Sequence, residues 1–118
     1  MTNSQPAANI RDVSIAEASA LIASEGAGEA GVTVLDVRRP EEFADGHIAG
    51  AVNVNVMADD FVDQLADLDP DARYVLHCKS GARSAKALEV LKQRGFTNVA
   101  HMNEGFDGWQ AAGQPVEQ

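Results

Sequence analysis

Cys78 is the only cysteine of this 118-residue chain, and its sequence context is of a kind that activates thiols. The segment Cys-Lys-Ser-Gly-Ala-Arg at 78–83 combines small residues with two cations. The run Tyr-Val-Leu-His at 74–77 predicts a central strand, and helical spacing begins at about Ala82. We therefore expect Cys78 just beyond the carboxyl end of a strand, where ligands bind in open parallel sheets.

A strand–loop–helix segment of this type can both ionise a thiol and hold an anion. Its backbone N–H groups and the positive end of the following helix face the loop centre, and small residues let the backbone curl closely. The same dipoles and the nearby cations favour the thiolate, which is the reactive form. The pattern predicts a nucleophilic Cys78, although a lone cysteine after a strand is also typical of a buried apolar residue. The predicted anion-binding residues are Lys79, Ser80, Gly81, Ala82 and Arg83.

Composition narrows the chemistry further. One cysteine excludes an internal disulfide, a zinc site made of several thiolates and a CxxC redox pair. Chemistry at Cys78 must therefore use a partner molecule. The sequence indicates no metal and no organic cofactor. With 45% hydrophobic and 23% charged residues, the chain has the composition of one folded globular domain.

Charge and hydropathy bear on partners and location. The formal net charge is −9, so we expect neither nucleic acid nor an anionic membrane as a partner. The first six residues lack the basic and apolar regions of a secretory signal, and no apolar run is long enough to span a bilayer. We expect a cytoplasmic protein whose thiol stays reduced.

Strand and helix patterns alternate along the chain. Strand patterns cover 32–37, 51–54, 74–77 and 98–102, with helical patterns before, between and after them. This alternation predicts an α/β fold with a mostly parallel central sheet of about five strands and helices on both faces. We expect a flexible N-terminal tail over 1–9, one domain over 10–113 and a C-terminal tail over 114–118.

Three motifs resemble those of rhodanese-like domains. VLDVRRPEEF (34–43) and GHIAGAVN (46–53) resemble the family's opening motif, and HCKSGARS (77–84) its active-site loop. Gly95-Phe96 and the spacing from Gly105 to Trp109 resemble its closing motif. The three motifs occur in the family's order, from about Val13 to Gln110.

This resemblance implies a sulfurtransferase. Cys78 would take the outer sulfur of a small anionic donor such as thiosulfate, or of a persulfide donor, and hold it as a persulfide. A thiol, cyanide or a sulfur-carrier protein would then accept the sulfur. The amides of 79–83 would cradle the terminal sulfur, Arg83 would brace the loop or hold the donor, and Lys79 would favour anionic donors.

Further positions match the family motifs as candidate supporting residues: Asp36, Arg38 and Ser84. Asp36 would orient the loop region or have a purely structural role. One position departs from the pattern, because Glu104-Gly105 stands where many members have paired glycines. If Glu104 faces the mouth of the site, its charge opposes an anionic donor.

Two other functions fit parts of the same pattern. The domain could be a non-enzymatic persulfide relay or regulatory binding module. It could also be a cysteine-based phosphatase or arsenate reductase, whose arginine follows the cysteine by six positions. Here Arg83 follows Cys78 by five positions, which makes a smaller ring suited to a single sulfur atom. The sequence also shows no clear acid to protonate a leaving oxygen.

Overall fold

A computed structural model describes residues 9–26 and 31–118 of the chain. Strands and helices alternate through these residues. The strands are β1 (Asn9–Val13), β2 (Val32–Asp36), β3 (Val52–Asn53), β4 (Arg73–His77) and β5 (Asn98–Met102). The helices are α1 (Ile15–Glu25), α2 (Pro40–Asp45), α3 (Phe61–Leu65), α4 (Ala82–Gln93) and α5 (Gly105–Ala111).

The five strands form one sheet in the order β1-β5-β4-β2-β3, and all four pairings are parallel. The predicted α/β fold is thereby confirmed. Crossover connections allow β2 and β4, which are separated by β3 in sequence, to lie side by side at the centre. Central parallel strands are buried on both faces, which explains their nearly continuous apolar sequences.

Each central strand supplies side chains to two separate apolar layers. Leu35 and Leu76 pack with α3 and α4 on one face, whereas Val34 and Val75 pack with α1 and α5 on the other. Because successive strand residues point to opposite faces, a strand with no polar gap builds both layers at once. Helices therefore cover the sheet on both faces.

Local sequence signals account for several of the helix boundaries. The capping box at the start of α1 is present, with the Ser14 hydroxyl accepting from the Glu17 N–H at 3.1 Å and the Glu17 carboxylate accepting in return. Pro40 occupies the first turn of α2. Helix α3 ends at Leu65, so Leu68 lies in the turn that follows. In the described ranges, no helix is both long and apolar enough to cross a bilayer.

The edge strand β1 is absent from the sequence prediction. Among the residues that the structure describes, this strand lies at the edge of the sheet and pairs with β5 alone. An edge strand does not need a continuous apolar run, and Asn-Ile-Arg-Asp-Val has neither such a run nor clean alternation. Asn9 belongs to β1, and its N–H donates to the Thr97 carbonyl at 2.6 Å. The assignment of 1–9 as a flexible tail stays a prediction. Residues 1–8 of that tail lie outside the described part of the chain.

The predicted C-terminal tail contacts the domain. Glu117 forms an isolated antiparallel bridge with His47, and the Trp109 indole donates to the Pro115 carbonyl at 2.8 Å. The Gln114 side chain bonds to Ser19 on α1 at 3.0 Å. The assignment of 114–118 as a separate segment stays a prediction.

Two glycines let the segment after β4 approach the segment after β5. Gly81 has a φ of 109°, and a Cβ there would collide with the Asn103 carbonyl. Gly105 has a φ of 71°, and a Cβ there would collide with the main chain of Lys79 and Cys78. Both positions therefore require glycine for conformation and for space.

Gly105→Ala is expected to destabilise the fold by at least about 3 kcal/mol, because the new methyl group meets main-chain atoms that cannot rotate away. Urea unfolding of the variant measures this loss. Gly95→Ala is the matched control, since Gly95 also has a positive φ, 84°, but open space around the would-be Cβ. We expect it to cost about 1 kcal/mol. Equal losses in the two variants would show that backbone strain alone accounts for the effect.

Candidate active site

Cys78 is the first residue after β4, and α4 begins four positions later at Ala82. The Gly81 N–H donates to the Cys78 Sγ at 3.0 Å. Cys78 is 1% exposed and adjoins the apolar layer beneath α4. The sulfur thus meets a loop amide on one side and hydrocarbon on the other.

Two opposing effects set the pKa of the Cys78 thiol. Burial raises it, because a thiolate loses hydration there. Hydrogen bonds from the Ser84 hydroxyl and from the N–H groups of Ser84, Gly81 and Ser80 lower it and prevail, so the pKa lies below its ordinary value. The loop therefore favours a thiolate at a site almost sealed from water.

Ser84 links the loop to the sheet. Its side chain is fully buried, and its hydroxyl donates to the Gly81 carbonyl at 3.1 Å. The same oxygen lies 2.7 Å from His101 Nε2 on β5. His101 Nδ1 lies 3.1 Å from an Asp12 carboxylate oxygen on β1. A chain of hydrogen bonds thus runs from the cysteine loop across the sheet to its edge.

Arg83 makes a two-pronged ion pair with Glu42 of α2. Its Nη1 and Nη2 lie 2.6 and 3.0 Å from the two Glu42 oxygens, and both side chains are about one-quarter exposed. The hydrogen bond to Arg83 is the main reason that the pKa of Glu42 is lowered from 4.5 to about 2. Glu42 in turn raises the pKa of Arg83, and the Cys78 charge adds to this effect.

Lys79 pairs with Asp107 at the rim of the loop. Its Nζ lies 3.0 Å from both carboxylate oxygens, and each side chain is about half exposed. An exposed pair of this kind contributes at most about 1 kcal/mol. Glu104 is also exposed, at the start of α5. Lys79 and Arg83 therefore each have a carboxylate partner. A further carboxylate, that of Glu104, lies close to Asp107 in the sequence.

Asp36 and Arg38 form a buried ion pair at the carboxyl end of β2. The carboxylate accepts from the Arg38 backbone N–H and from its Nε and Nη2, at 2.8 to 3.1 Å. Nη2 also donates to the Gly46 carbonyl at 2.7 Å, and the guanidinium lies 4.2 Å from the centre of the Phe106 ring. These contacts join β2, α2 and α5 and give both residues a supporting position.

His77 lies beside this pair and is fully buried. Its Nδ1 donates to the Cys78 carbonyl at 2.9 Å, and its Nε2 lies 3.7 Å from Asp36 without a hydrogen-bond partner among the described atoms. Burial lowers the pKa of His77, and the Asp36 charge opposes this only in part. A neutral His77 therefore holds the main chain of Cys78 in place.

Helix α5 holds the other side of the loop. The Phe106 N–H donates to the Cys78 carbonyl at 2.8 Å, and the Asp107 N–H donates to the Lys79 carbonyl at 3.0 Å. These bonds satisfy loop carbonyls on the side of α5. The N–H groups of Ser80, Gly81 and Ser84 are on the side of the loop that faces the Cys78 sulfur.

The surface beside the loop has a pocket of about 230 Å³, lined mainly by charged residues that include Arg38, Glu42 and Lys79. A larger cavity of about 380 Å³ lies around Thr33 and Tyr74, near the opposite ends of β2 and β4. We associate the smaller pocket with the chemistry because it adjoins the cysteine loop. Across 9–26 and 31–118, no three His, Cys, Asp or Glu side chains form a metal-binding group.

The structure places the Gly81 N–H against the Cys78 sulfur, whereas Lys79 and Arg83 pair with carboxylates. Asp36 and Arg38 lie behind the loop. Sequence reasoning missed the partners of the loop residues: Glu42 on Arg83, Asp107 on Lys79, and His101 on Ser84, with Asp12 behind His101. Glu42 is part of the motif over 34–43, but nothing in the pattern pairs it with Arg83. The unusual histidine within the apolar strand 98–102 is the one signal that could have identified His101.

Comparisons with known proteins agree with this geometry. The family model described as Rhodanese-like domain matches residues 15–112. Thiosulfate sulfurtransferase 16, chloroplastic, of Arabidopsis thaliana is 37% identical over 98 residues, which cover 75% of this chain and 82% of that protein. A solved structure of a rhodanese-related protein from Thermoplasma volcanium is 31% identical, with a TM-score of 0.77 and coverage of 91% and 97%.

A third relative is a much longer protein. The probable adenylyltransferase/sulfurtransferase MoeZ of Mycobacterium tuberculosis is 37% identical over 84 residues, or 71% of this chain. The match spans only 21% of MoeZ. The similarity therefore concerns one segment of that protein.

Glu42→Gln is expected to lower the free energy of unfolding by about 1 to 2 kcal/mol at pH 7, because it removes one charge of a partly buried pair. A carboxylate with a lowered pKa stabilises the fold fully above its ordinary pKa of 4.5 and loses this effect as the pH falls through about 2. Urea unfolding of wild type and variant across this window measures the difference, which should shrink as the pH falls from 4.5 and vanish below about 2.

Glu89→Gln is the control, because Glu89 pairs with Lys92 on an exposed helix surface. We expect it to change stability by less than about 0.5 kcal/mol. A Glu42→Gln loss that is as large near pH 2 as at pH 7 would contradict the assigned role of the charge.

Proposed function

The chain belongs to the family of rhodanese-like domains, and on this premise we propose that it is a sulfurtransferase that carries sulfur as a persulfide on Cys78. The main support is the contact between the Gly81 N–H and the Cys78 sulfur, at 3.0 Å. An amide at this position stabilises a thiolate and, after reaction, an anionic sulfur attached to it. The lowered pKa of the Cys78 thiol agrees with this role.

The first step with thiosulfate needs no oxidant or reductant from outside. The Cys78 thiolate attacks the outer sulfur and forms a new sulfur–sulfur bond. The bond between that sulfur and the sulfonate breaks, and sulfite leaves with its electron pair. Cys78 then holds a persulfide whose terminal sulfur is anionic.

The second step returns the enzyme to its starting state. A nucleophilic acceptor attacks the terminal sulfur, and the bond to Cys78 breaks with the electron pair remaining on the thiolate. A thiol, cyanide or a sulfur-carrier protein has the required chemistry. Because the chain has a single cysteine, the persulfide cannot close to an internal disulfide and waits for this acceptor. A reducing compartment such as the cytoplasm suits a thiol that must stay free.

The approach of a donor depends on the rim of the loop. Cys78 itself is 1% exposed, whereas Lys79 and Ser80 are exposed beside it. We place donor entry at this rim, where the cationic groups of Lys79 and Arg83 lie. Their carboxylate partners reduce the attraction for a dianion, so a persulfide donor with less charge suits the site as well as thiosulfate does.

Exposure of the protein to thiosulfate should add one sulfur atom to its intact mass, because Cys78 keeps the outer sulfur when sulfite leaves. Treatment with a reductant should remove the added mass. Cys78→Ser should gain none while keeping the wild-type circular dichroism spectrum. Sulfur gained by that variant would move the carrier role to another residue.

The same preparation separates an enzyme from a relay module. Repeated transfer from thiosulfate to cyanide, followed as thiocyanate, is expected of the enzyme. One loading per chain with no turnover toward small acceptors would instead support the relay function.

Arg83→Ala is expected to reduce kcat/KM for thiosulfate by about tenfold or more, because a guanidinium near the sulfur stabilises negative charge on the incoming donor. The loss should be smaller with an uncharged organic persulfide donor. Arg94→Ala is the control, since Arg94 is an exposed cation at the far end of α4. Equal losses with both donors would assign Arg83 a purely structural role through Glu42.

A further inference from the structure

Each cationic side chain at the cysteine loop has a carboxylate partner, and these partners have no role in the steps above. Lys79 Nζ lies 3.0 Å from both carboxylate oxygens of Asp107. Arg83 at the loop and the buried Arg38 behind it each pair with one carboxylate as well. The three pairs therefore add no net formal charge to the surroundings of the Cys78 sulfur.

The pocket of about 230 Å³ beside the loop has one carboxylate more than its cations can balance. In the described part of the chain, the charged residues that line it are Arg38, Glu42, Asp45, Lys79 and Asp107. Asp45 is exposed, and the ion pairs found among the described residues do not include it. The lining is therefore negative in formal charge. The two pair partners that lie just outside it have opposite signs and leave this balance unchanged.

Charged residues next to the pocket do not reverse its sign. Arg39 and Glu41 at the start of α2 are both exposed and have opposite charges. Lys86 on α4 and Glu104 at the start of α5 are also exposed and of opposite sign. These four side chains do not line the pocket. The charge that a bound molecule meets is thus set by the lining itself.

A reaction partner must bring its sulfur past this lining. Cys78 is 1% exposed, whereas Lys79 and Asp107 are each about half exposed at the rim. When the partner's sulfur contacts Cys78, the atoms attached to that sulfur must lie at the rim and in the pocket. A charge on those atoms is then close to the charges of the lining, where Coulomb energies are large. The balance does not require a closed pair, since Lys79 and Asp107 both stay at the rim when the pair opens.

We propose that Asp107 and Asp45 are specificity-determining residues, which make the site select small thiols and persulfides with a positive charge near the sulfur. Asp107 cancels the attraction of Lys79 for anions, and Asp45 supplies the excess negative charge. Aminothiols and their persulfides have the required chemistry, and thiosulfate reacts against this preference. A small molecule fits better than a protein thiol, because the sulfur is covered and the pocket is small. The inference rests on the proposed function of Cys78 as the sulfur carrier.

Thiol reagents of opposite charge measure the selectivity without any sulfur transfer, and the single cysteine makes labelling unambiguous. Aminoethyl and sulfonatoethyl methanethiosulfonate differ in the charge of the group attached near the reacting sulfur. The Cys78 thiolate forms a disulfide bond with that sulfur, and methanesulfinate leaves with the electron pair of the broken sulfur–sulfur bond. Each rate is divided by the rate of the same reagent with free mercaptoethanol. We expect this normalised rate to be about tenfold higher for the cationic reagent.

Asp107→Asn should lower the ratio of the cationic to the anionic rate by about threefold, because the charge of Lys79 is no longer cancelled. The backbone N–H of residue 107 still donates to the Lys79 carbonyl in this variant. Asp45→Asn, at an exposed position, should lower the ratio in the same direction. Asp67→Asn is the matched control, since it removes one negative charge from the chain at the cavity near the opposite ends of β2 and β4. It should leave the ratio unchanged.

The acceptor step is measured on protein that has been loaded with sulfur from thiosulfate. Cysteamine, mercaptoethanol and mercaptopropionate are positive, neutral and negative acceptors of similar size, and their rates are compared at equal thiolate concentration. Discharge of the Cys78 persulfide should be fastest with cysteamine and slowest with mercaptopropionate, and Asp107→Asn should narrow this spread. A peptide with a cysteine between lysines should be slower than cysteamine. A faster reaction of the peptide would overturn the assignment to a small molecule.

A wild-type ratio of cationic to anionic rates near one would overturn the proposal. So would equal falls in Asp67→Asn and Asp107→Asn, which would trace the effect to the charge of the whole chain. Urea unfolding shows whether each variant is folded, and if Asp107→Asn is not, the comparison of Asp45→Asn with Asp67→Asn decides. Failure of thiosulfate to add sulfur to the wild type, with the rate ratios as expected, would overturn the proposed function and leave the charge selectivity at Cys78 in place.

Discussion

The site depends on how the loop after β4 uses its backbone hydrogen-bonding groups: carbonyl groups face α5, and N–H groups face the Cys78 sulfur. The first turn of α5 binds the carbonyls of Cys78 and Lys79, and the N–H groups of the next residues face the sulfur. This arrangement requires the main chain of α5 to approach that of the loop more closely than any side chain permits. Gly105 makes the approach possible. A buried negative sulfur is tolerable only because amide dipoles replace the water that it loses.

A buried ion pair behind the loop helps to hold the loop and α5 together. The pair of Asp36 and Arg38 is satisfied by several hydrogen bonds, and Arg38 also packs on Phe106, whose N–H binds the loop. Removing one partner of a buried pair leaves an uncompensated charge. The resemblance left open whether Asp36 is structural or orients the loop. The contacts connect it to Cys78 only through other residues, chiefly His77 and Phe106.

Sequence reasoning recovers what local patterns encode. The runs at 32–37 and 74–77 are strands because burial on both faces demands apolar residues throughout, and the strand–loop–helix order places Cys78. The edge strand β1 does not need apolar residues throughout, so the sequence pattern did not predict it. Pairings between distant segments were missed as well. Glu42 with Arg83 and His101 with Ser84 and Asp12 join positions far apart in the chain, and only the folded sheet brings them together.

The matched ion pairs at the mouth have a consequence for encounter rates. Lys79 and Arg83 are each balanced by a carboxylate, so the field that a distant molecule feels is set by the rest of a chain with a formal charge of −9. An anionic donor therefore approaches against repulsion until it is within a Debye length of the loop. Added salt screens this repulsion. Association with a small anion should therefore become faster as ionic strength rises. Enzymes whose active sites have unpaired cationic groups show the reverse dependence.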